Sequence, residues 1–207
     1  MTWKFDSEVA SMFVDHARKH IPNYDLTIDK TVDICRYFLK NNSTIIDVGS
    51  ATGETLQRLY DSGFTNLFGI DCSLDMIKKS NPLIATYIHS NNFPTMKFDA
   101  VILNWTLHFI KHKKEYLQEV YKNLNDDGIV ILTDKTSLDP IPLHFYHQFK
   151  SQNGVSNIDI AKKANSVKDI MFINNVEWYL QTLNNLGFRK VYVIDADWCF
   201  TSFLCVK

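Results

Sequence analysis

Two acids in this chain are spaced to hold one ligand between them. Asp47 closes the apolar run Ile45-Ile46, and Asp71 closes Leu67-Phe68-Gly69-Ile70. The interval is that of one βαβ unit, which places both carboxylates at the same carboxyl edge of a sheet, where open α/β folds bind ligands. Between them runs Gly49-Ser50-Ala51-Thr52-Gly53-Glu54-Thr55, with small residues at 49, 51 and 53. That pattern reads as a strand turning into a helix around a nucleoside, since Gly49, Ala51 and Gly53 let backbone approach a ligand closely. Asp47 is positioned to face an amino group, directly or through water. Asp71 is positioned to accept from both ribose hydroxyls, a charge-assisted contact of about 1.5–3 kcal/mol. The plain alternative is a pair of ordinary βα turns whose glycines only make bends.

The dinucleotide fingerprint G-x-G-x-x-G is not met by this spacing, and no lysine follows the loop to serve a nucleoside triphosphate. S-adenosyl-L-methionine (SAM), which carries an ammonium and a ribose on one molecule, fits better. Ser50 in the loop, and Cys72 and Met76 after the second strand, are placed with this site. After the third strand, where methyltransferases usually carry an acid for the adenine amino group, the chain has His89-Ser90-Asn91. Ser90 or Asn91 is expected to accept in its place. Asn104-Trp105 follows the fourth strand at the same edge. Asn104 offers a donor and an acceptor to a reacting centre, and Trp105 either covers the adenine or packs in the core. Candidate substrate-side groups are Tyr24, Asn104, Lys135, Tyr146, His147 and Trp198. Of these, His147 or Tyr146 is the candidate base, and each has lid packing as its alternative.

The elements that must position these groups follow from apolar periodicity. A helix is expected over 7–19, stopped by Pro22, and a second through Ile28, Val32, Cys35 and Leu39. Strands are expected at 44–48, 66–70, 83–88, 98–103 and 129–133, with Asn125-Asp126-Asp127-Gly128 as a turn. A helix carries Leu117, Val120, Tyr121 and Leu124 on one face, and another, capped by Asn174 with Glu177, runs from Val176 to Leu186 and closes at Gly187. Strands at 189–195 and 199–206 lie too close for a crossover helix and must pair antiparallel. The fold class is therefore α/β, a doubly wound, Rossmann-like seven-stranded sheet with an antiparallel last pair, as in class I SAM-dependent methyltransferases. Residues 1–207 form a single domain, with 1–41 as a helical cover and 136–173 as an inserted lid.

Composition excludes other classes. A net charge of −1 gives no dominant basic face for nucleic acid. The run Lys111-His112-Lys113-Lys114 reads as the solvated start of a surface helix. Cys35, Cys72, Cys199 and Cys205 show no metal-ligand spacing, so no metal is expected, and Cys35 and Cys205 read as core residues. With no apolar run of membrane length and no leader, a cytoplasmic protein is expected. Aromatic content of 13% is compatible with a homodimer surface, though no stripe marks one.

Nearly end to end, the residues resemble the bacterial carboxy-S-adenosylmethionine synthases of tRNA wobble-uridine modification. The similarity lies in Trp3-Lys4-Phe5-Asp6, Ile21-Pro22-Asn23-Tyr24, Asp47 to Gly53, Leu103 to Phe109, His147-Gln148-Phe149-Lys150, Asn153-Gly154, Asp159-Ile160 with Lys163, and Phe200 to Leu204. The resemblance implies SAM contacts at Tyr24, Gly49, Asp71, Cys72, His89, Ser90 and Asn104. It also shows a departure: the family holds the carboxylate of carboxy-SAM with an arginine following the lysine matched by Lys163, and here that position is Ala164. The leading expectation is therefore methyl transfer from SAM to a small molecule. The alternative is that SAM is itself transformed, by carboxylation of its methyl group, cyclisation or lysis. A SAM-binding module without chemistry is a third reading.

Overall fold

In the computed structural model, which describes residues 5–207, the strands are β1 Thr44–Val48, β2 Asn66–Asp71, β3 Thr86–His89, β4 Phe98–Asn104, β5 Leu124–Lys135, β6 Lys190–Asp197 and β7 Phe200–Val206. They form one sheet in the order β3-β2-β1-β4-β5-β7-β6. β1 to β5 are parallel neighbours, and β7 runs antiparallel to both β5 and β6. The order reverses between β1 and β4, so the crevice of this α/β sheet opens beyond the tips of those two strands. Trp3 and Lys4 of the amino-terminal pattern lie outside the described residues.

Side chains alternate along the central strands, and both faces of the sheet are covered. Ile46, Val101, Leu103, Val130, Leu132 and Phe203 pack on one face beneath helices α6 (Lys113–Asn123) and α9 (Val176–Leu186). Ile45, Ala100, Ile102, Ile129 and Ile131 pack on the other, beneath α3 (Tyr24–Phe38) and α4 (Glu54–Asp61). Cys35 and Cys205 are fully buried within these layers. The remaining helices are α1 Ser7–Ser11, α2 Phe13–His20, α5 Leu74–Ile77, α7 Pro140–Gln152 and α8 Asn157–Val167, with a 3-10 turn at Leu107–Phe109.

Several expected boundaries move for local reasons. The helix expected over 7–19 is broken at Met12, whose φ of −122° and ψ of 14° are not helical. Ser11 Oγ meanwhile donates to the Glu8 carbonyl at 2.7 Å, a side-chain bond that competes with helix continuation. β3 starts at Thr86 rather than 83, because residues after Asn81-Pro82 are still turning, with Leu83 N on Asn81 Oδ1 at 3.1 Å. Leu124 belongs to β5, not to the face of α6. The expected turn at 125–128 is an irregularity inside that strand: Phe98 pairs with Leu124, and Ala100 next with Ile129. Asn175, not Asn174, caps α9, accepting from Trp178 N at 2.9 Å. Asn174 is diverted to Lys113, whose Nζ donates to its Oδ1 at 2.9 Å and also to the Phe172 carbonyl. Lys113 is thus buried, and the expectation of a wholly solvated lysine run fails at that residue.

Candidate active site

The carboxyl tips of β1, β2, β4 and β5 surround a cavity of about 510 Å³, roofed by α2 and α3 on one side and α7 and α8 on the other. Asp47, Gly49, Ser50, Ala51, Asp71, Cys72, Met76 and Ser90 line one end. Tyr24, Asn104 and Trp105 stand at the middle, and Lys135, Tyr146 and His147 line the far end. Three expected residues are elsewhere. His89 is exposed and contacts the Cys72 carbonyl through Nε2 at 3.0 Å. Trp198 is half-exposed at the β6–β7 turn, stacked on Phe145 at 4.6 Å. Gly53 caps α4 away from the cavity.

The glycines serve packing at this end. A Cβ on Gly49, at φ +71°, would lie 2.3 Å from Thr106 Oγ1, and one on Gly53 would lie 2.5 Å from the Tyr87 hydroxyl. The expectation that Gly53 clears room for the ligand is therefore corrected: the room is taken by Tyr87. The loop amides are also committed. Gly49 N and Ser50 N donate to the Ile70 carbonyl at 2.8 and 3.1 Å, Ala51 N to Asp71 Oδ2 at 2.9 Å, and Gly53 N to the Ser50 carbonyl at 2.8 Å. A loop whose amides are spent on protein is a poor phosphate cradle. What it turns toward the cavity are acceptors.

Those acceptors suit an ammonium and a ribose. Burial first, and then the Asp71 charge, push Asp47 up to about 8, while a hydrogen bond from Thr55 opposes the shift. A bound cation would restore the charged form. Burial likewise raises Asp71, against the amides of Ser73 and Ala51. Asn104 donates Nδ2 to Thr31 Oγ1 at 3.2 Å, but its buried Oδ1 has no partner, and neither has Ser50 Oγ. Buried polar atoms left unsatisfied cost about 1–3 kcal/mol each, which a ligand offering donors would relieve. Trp105, held in the left-handed region at φ +57°, stacks on Tyr24 at 4.8 Å and makes an aromatic wall between the two ends.

The far end is basic. Lys135 and Lys150 are buried, and their ammonium groups lie 4.7 and 3.9 Å from the Tyr146 ring centroid. Neither forms an ion pair with a carboxylate among the described residues. Burial and then Lys135 push Lys150 down to about 7, and burial also lowers Lys135. Lys163, lowered by burial and then by Lys150, joins them from α8, next to Ala164 on the cavity wall. His16 and His20, stacked at 3.8 Å, close this end from α2, and burial is the first cause lowering both. Burial raises the Tyr146 phenol, which disfavours it as a base. Lys150 was legible only as part of the family-like run 147–150, and His16 and His20 were given no role, since α2 and α7 meet only in the fold.

His108 was also passed over. It lines the cavity while bonding through Nδ1 to Asp134, which is fully buried on the opposite face of β5 from Lys135. The Tyr179 hydroxyl donates to the same carboxylate, and Lys113 Nζ lies 3.9 Å away. An acid ending an apolar strand, as Asp47 and Asp71 do, was the available signal for Asp134.

Such a sheet, with acidic acceptors at the β1 and β2 tips, defines a class I SAM-binding enzyme. Residues 20–191 match the family model described as a methyltransferase domain. A carboxy-S-adenosyl-L-methionine synthase from Campylobacter hominis is 32% identical, covering 99% of this chain and 94% of that protein. One from Nautilia profundicola is 28% identical over the same shares. The chain belongs to the methyltransferase domain family and, within it, to the family of the carboxy-S-adenosyl-L-methionine synthases. Two solved structures share the fold at low identity. Magnesium protoporphyrin IX methyltransferase from Synechocystis, with bound S-adenosylhomocysteine, is 12% identical at a TM-score of 0.68, covering 92% of this chain and 86% of that one. A SAM-dependent methyltransferase from Archaeoglobus fulgidus is 15% identical at 0.69, covering 94% and 99%. The chain is a SAM-using enzyme.

Proposed function

We propose that this enzyme adds a carboxyl group to the methyl carbon of SAM, the reaction printed in its relatives' name. The observation that carries this reading is the polarity of the cavity. Its adenosyl end offers acceptors at Asp47 and Asp71, its middle the unpartnered Asn104 Oδ1, and its far end two buried ammonium groups on the Tyr146 ring. Asp71 would hold the ribose, Asp47 the amino group, and Ser90 or Asn91 the adenine edge. Tyr24 and Trp105 would shield the sulfonium from water. Lys135 and Lys150 would hold a carboxylate at the opening left by Ala164, as point charges rather than the planar fork an arginine supplies. The bound SAM supplies an activated methyl carbon, so the chain's task is positioning and exclusion of water.

Ala164 favours a second reading, in which the lysines bind a small anionic acceptor and the methyl group itself is transferred. Mass spectrometry separates the two. SAM incubated with the enzyme and prephenate, as carboxyl donor, should gain a carboxyl group. S-adenosylhomocysteine appearing with a panel of small carboxylic or phosphorylated acceptors instead would establish methyl transfer and remove the first reading. A cytoplasmic location accords with four free thiols and with the absence, among the described residues, of a helix able to cross a membrane.

A further inference from the structure

The helix α3, which roofs the cavity with α2, is fastened differently along its length. From Thr31 onward it is anchored: Thr31 Oγ1 accepts from Asn104, and Val32 and Cys35 lie in one apolar layer with Leu56 and Leu59 of α4. Its first turns, together with α2, form a separate small cluster whose buried members, among the described residues, are Ala17, Tyr24 and Ile28. So little buried apolar area holds a helix down weakly, and the fastening of this part falls to polar contacts. Asn23, at φ 54°, makes no side-chain cap; its Nδ2 donates instead to Asp197 Oδ2 at 2.6 Å and ties this side to β6.

The other side is held by one guanidinium. Arg58 of α4 donates from Nε and Nη2 to Glu54 Oε1 at 3.2 and 3.0 Å, and from Nη1 to Asp29 Oδ1 at 2.7 Å. Its Nη1 also reaches the Asp25 carbonyl at 3.2 Å, and its Nη2 reaches Asp25 Oδ1. These contacts engage all five N–H donors of the group. Asp25 receives Arg18 of α2 as well, in a fork of 2.9 and 3.1 Å. Tyr24, next to Asp25, and Glu54, at the start of α4, both line the cavity. Arg58 therefore joins the roof to the end of the Gly49–Glu54 loop, from a helix that Leu56 and Leu59 seat in the core.

We propose that Arg58 is a positioning residue of this site: its fork clasps α2 and the first turns of α3 to the start of α4, and opening of that clasp sets the rate at which SAM leaves. The proposal holds for carboxyl addition and for methyl transfer alike, and it rests on SAM occupying the acidic end of the cavity. Its effect has the opposite sign to that of charge alone. Removing a cation beside an acidic site strengthens the hold on a cationic ligand. Removing a clasp weakens it.

Dissociation of labelled SAM, chased with excess unlabelled SAM, should be about tenfold faster in Arg58→Met than in wild type, the combined effect of three partly exposed ion pairs. Arg58→Lys keeps the charge but loses the fork, and should recover only part of that change. Amide hydrogen exchange of the ligand-free Arg58→Met protein should quicken over 13–28 and stay as in wild type over 31–38, a split that a general loss of stability does not produce. Unchanged or slower dissociation in a folded Arg58→Met, full recovery by Arg58→Lys, or exchange quickened equally over both stretches overturns the proposal. If Arg58→Met does not fold, Asp29→Asn decides: removing that one exposed partner should speed dissociation by about twofold, and no change overturns the clasp. Failure of the ligand seat is read separately. An Asp71→Ala protein with unaltered SAM affinity moves SAM away from the acidic end and removes the proposal with it. An effect of Asp71→Ala without one of Arg58→Met removes the clasp alone.

Discussion

At one end of the cavity the acids Asp47 and Asp71 come from the tips of β1 and β2, and Glu54 from the start of α4. At the other, Lys135 comes from β5, Tyr146 and Lys150 from α7, Lys163 from α8, and His16 and His20 from α2. The first end is a backbone device: its amides are consumed internally and its carboxylates are set by strand register, with Asp47 opposite Gly69 and Asp71 opposite His89. The second is a side-chain device, assembled by packing helices over a sheet edge and stressed by burying like charges together. An arrangement of that kind is expected to reduce stability in return for a site that attracts anions.

The comparison breaks most readily at the acidic end. Asp71→Ala should weaken SAM binding by about 10- to 100-fold, the range of a charge-assisted contact, as measured by calorimetry, with the fold retained by circular dichroism. Unchanged affinity would remove the ribose assignment. Gly49→Ala should cost more than about 1 kcal/mol in denaturant unfolding, since it adds a Cβ at φ +71° against Thr106.

At the basic end, Lys150→Met should cut turnover by about tenfold or more while leaving SAM affinity within about twofold. Its stability effect has a defined sign. Lys150 is lowered from 10.5 to about 7 in the folded chain, so between those values the unfolded chain binds more protons and stability rises with pH. The melting temperature of wild type minus that of Lys150→Met should therefore climb between about pH 7 and pH 10.5. A flat difference would mean that Lys150 is solvated. Subtraction matters here because Asp47, raised from 3.8 to about 8, contributes a fall in stability as pH rises through that lower window. The smallest effect is expected for Trp198→Ala, which should change SAM affinity and turnover by less than about twofold, because Trp198 stacks on Phe145 outside the cavity.

The same division explains what could be read in advance. β1 fell at Thr44–Val48 as its apolar run indicates, and the antiparallel last pair followed from the short connection between its strands. Asp47 and Asp71 were legible because register and the βα turn fix them locally. Gly53 was misread because the same small residue serves ligand clearance or packing, and only the position of Tyr87 distinguishes the two. His89 falls outside the cavity because its ring is held on the Cys72 carbonyl, a contact that spacing does not reveal. Trp198 was misassigned because a tight turn at φ +47° points it outward.

By itself, then, the order of residues determined the strand succession, the switch point, the two acids at the strand tips and the class of cofactor. Each depends on periodicities and spacings within one βαβ unit. Tertiary packing alone decided that Lys135 and Lys150 meet across Tyr146, that Lys113 is buried, and that His108 is locked by Asp134. Those pairings join residues far apart in the chain, and their energies come from desolvation and contact geometry that exist only once the helices have closed over the sheet.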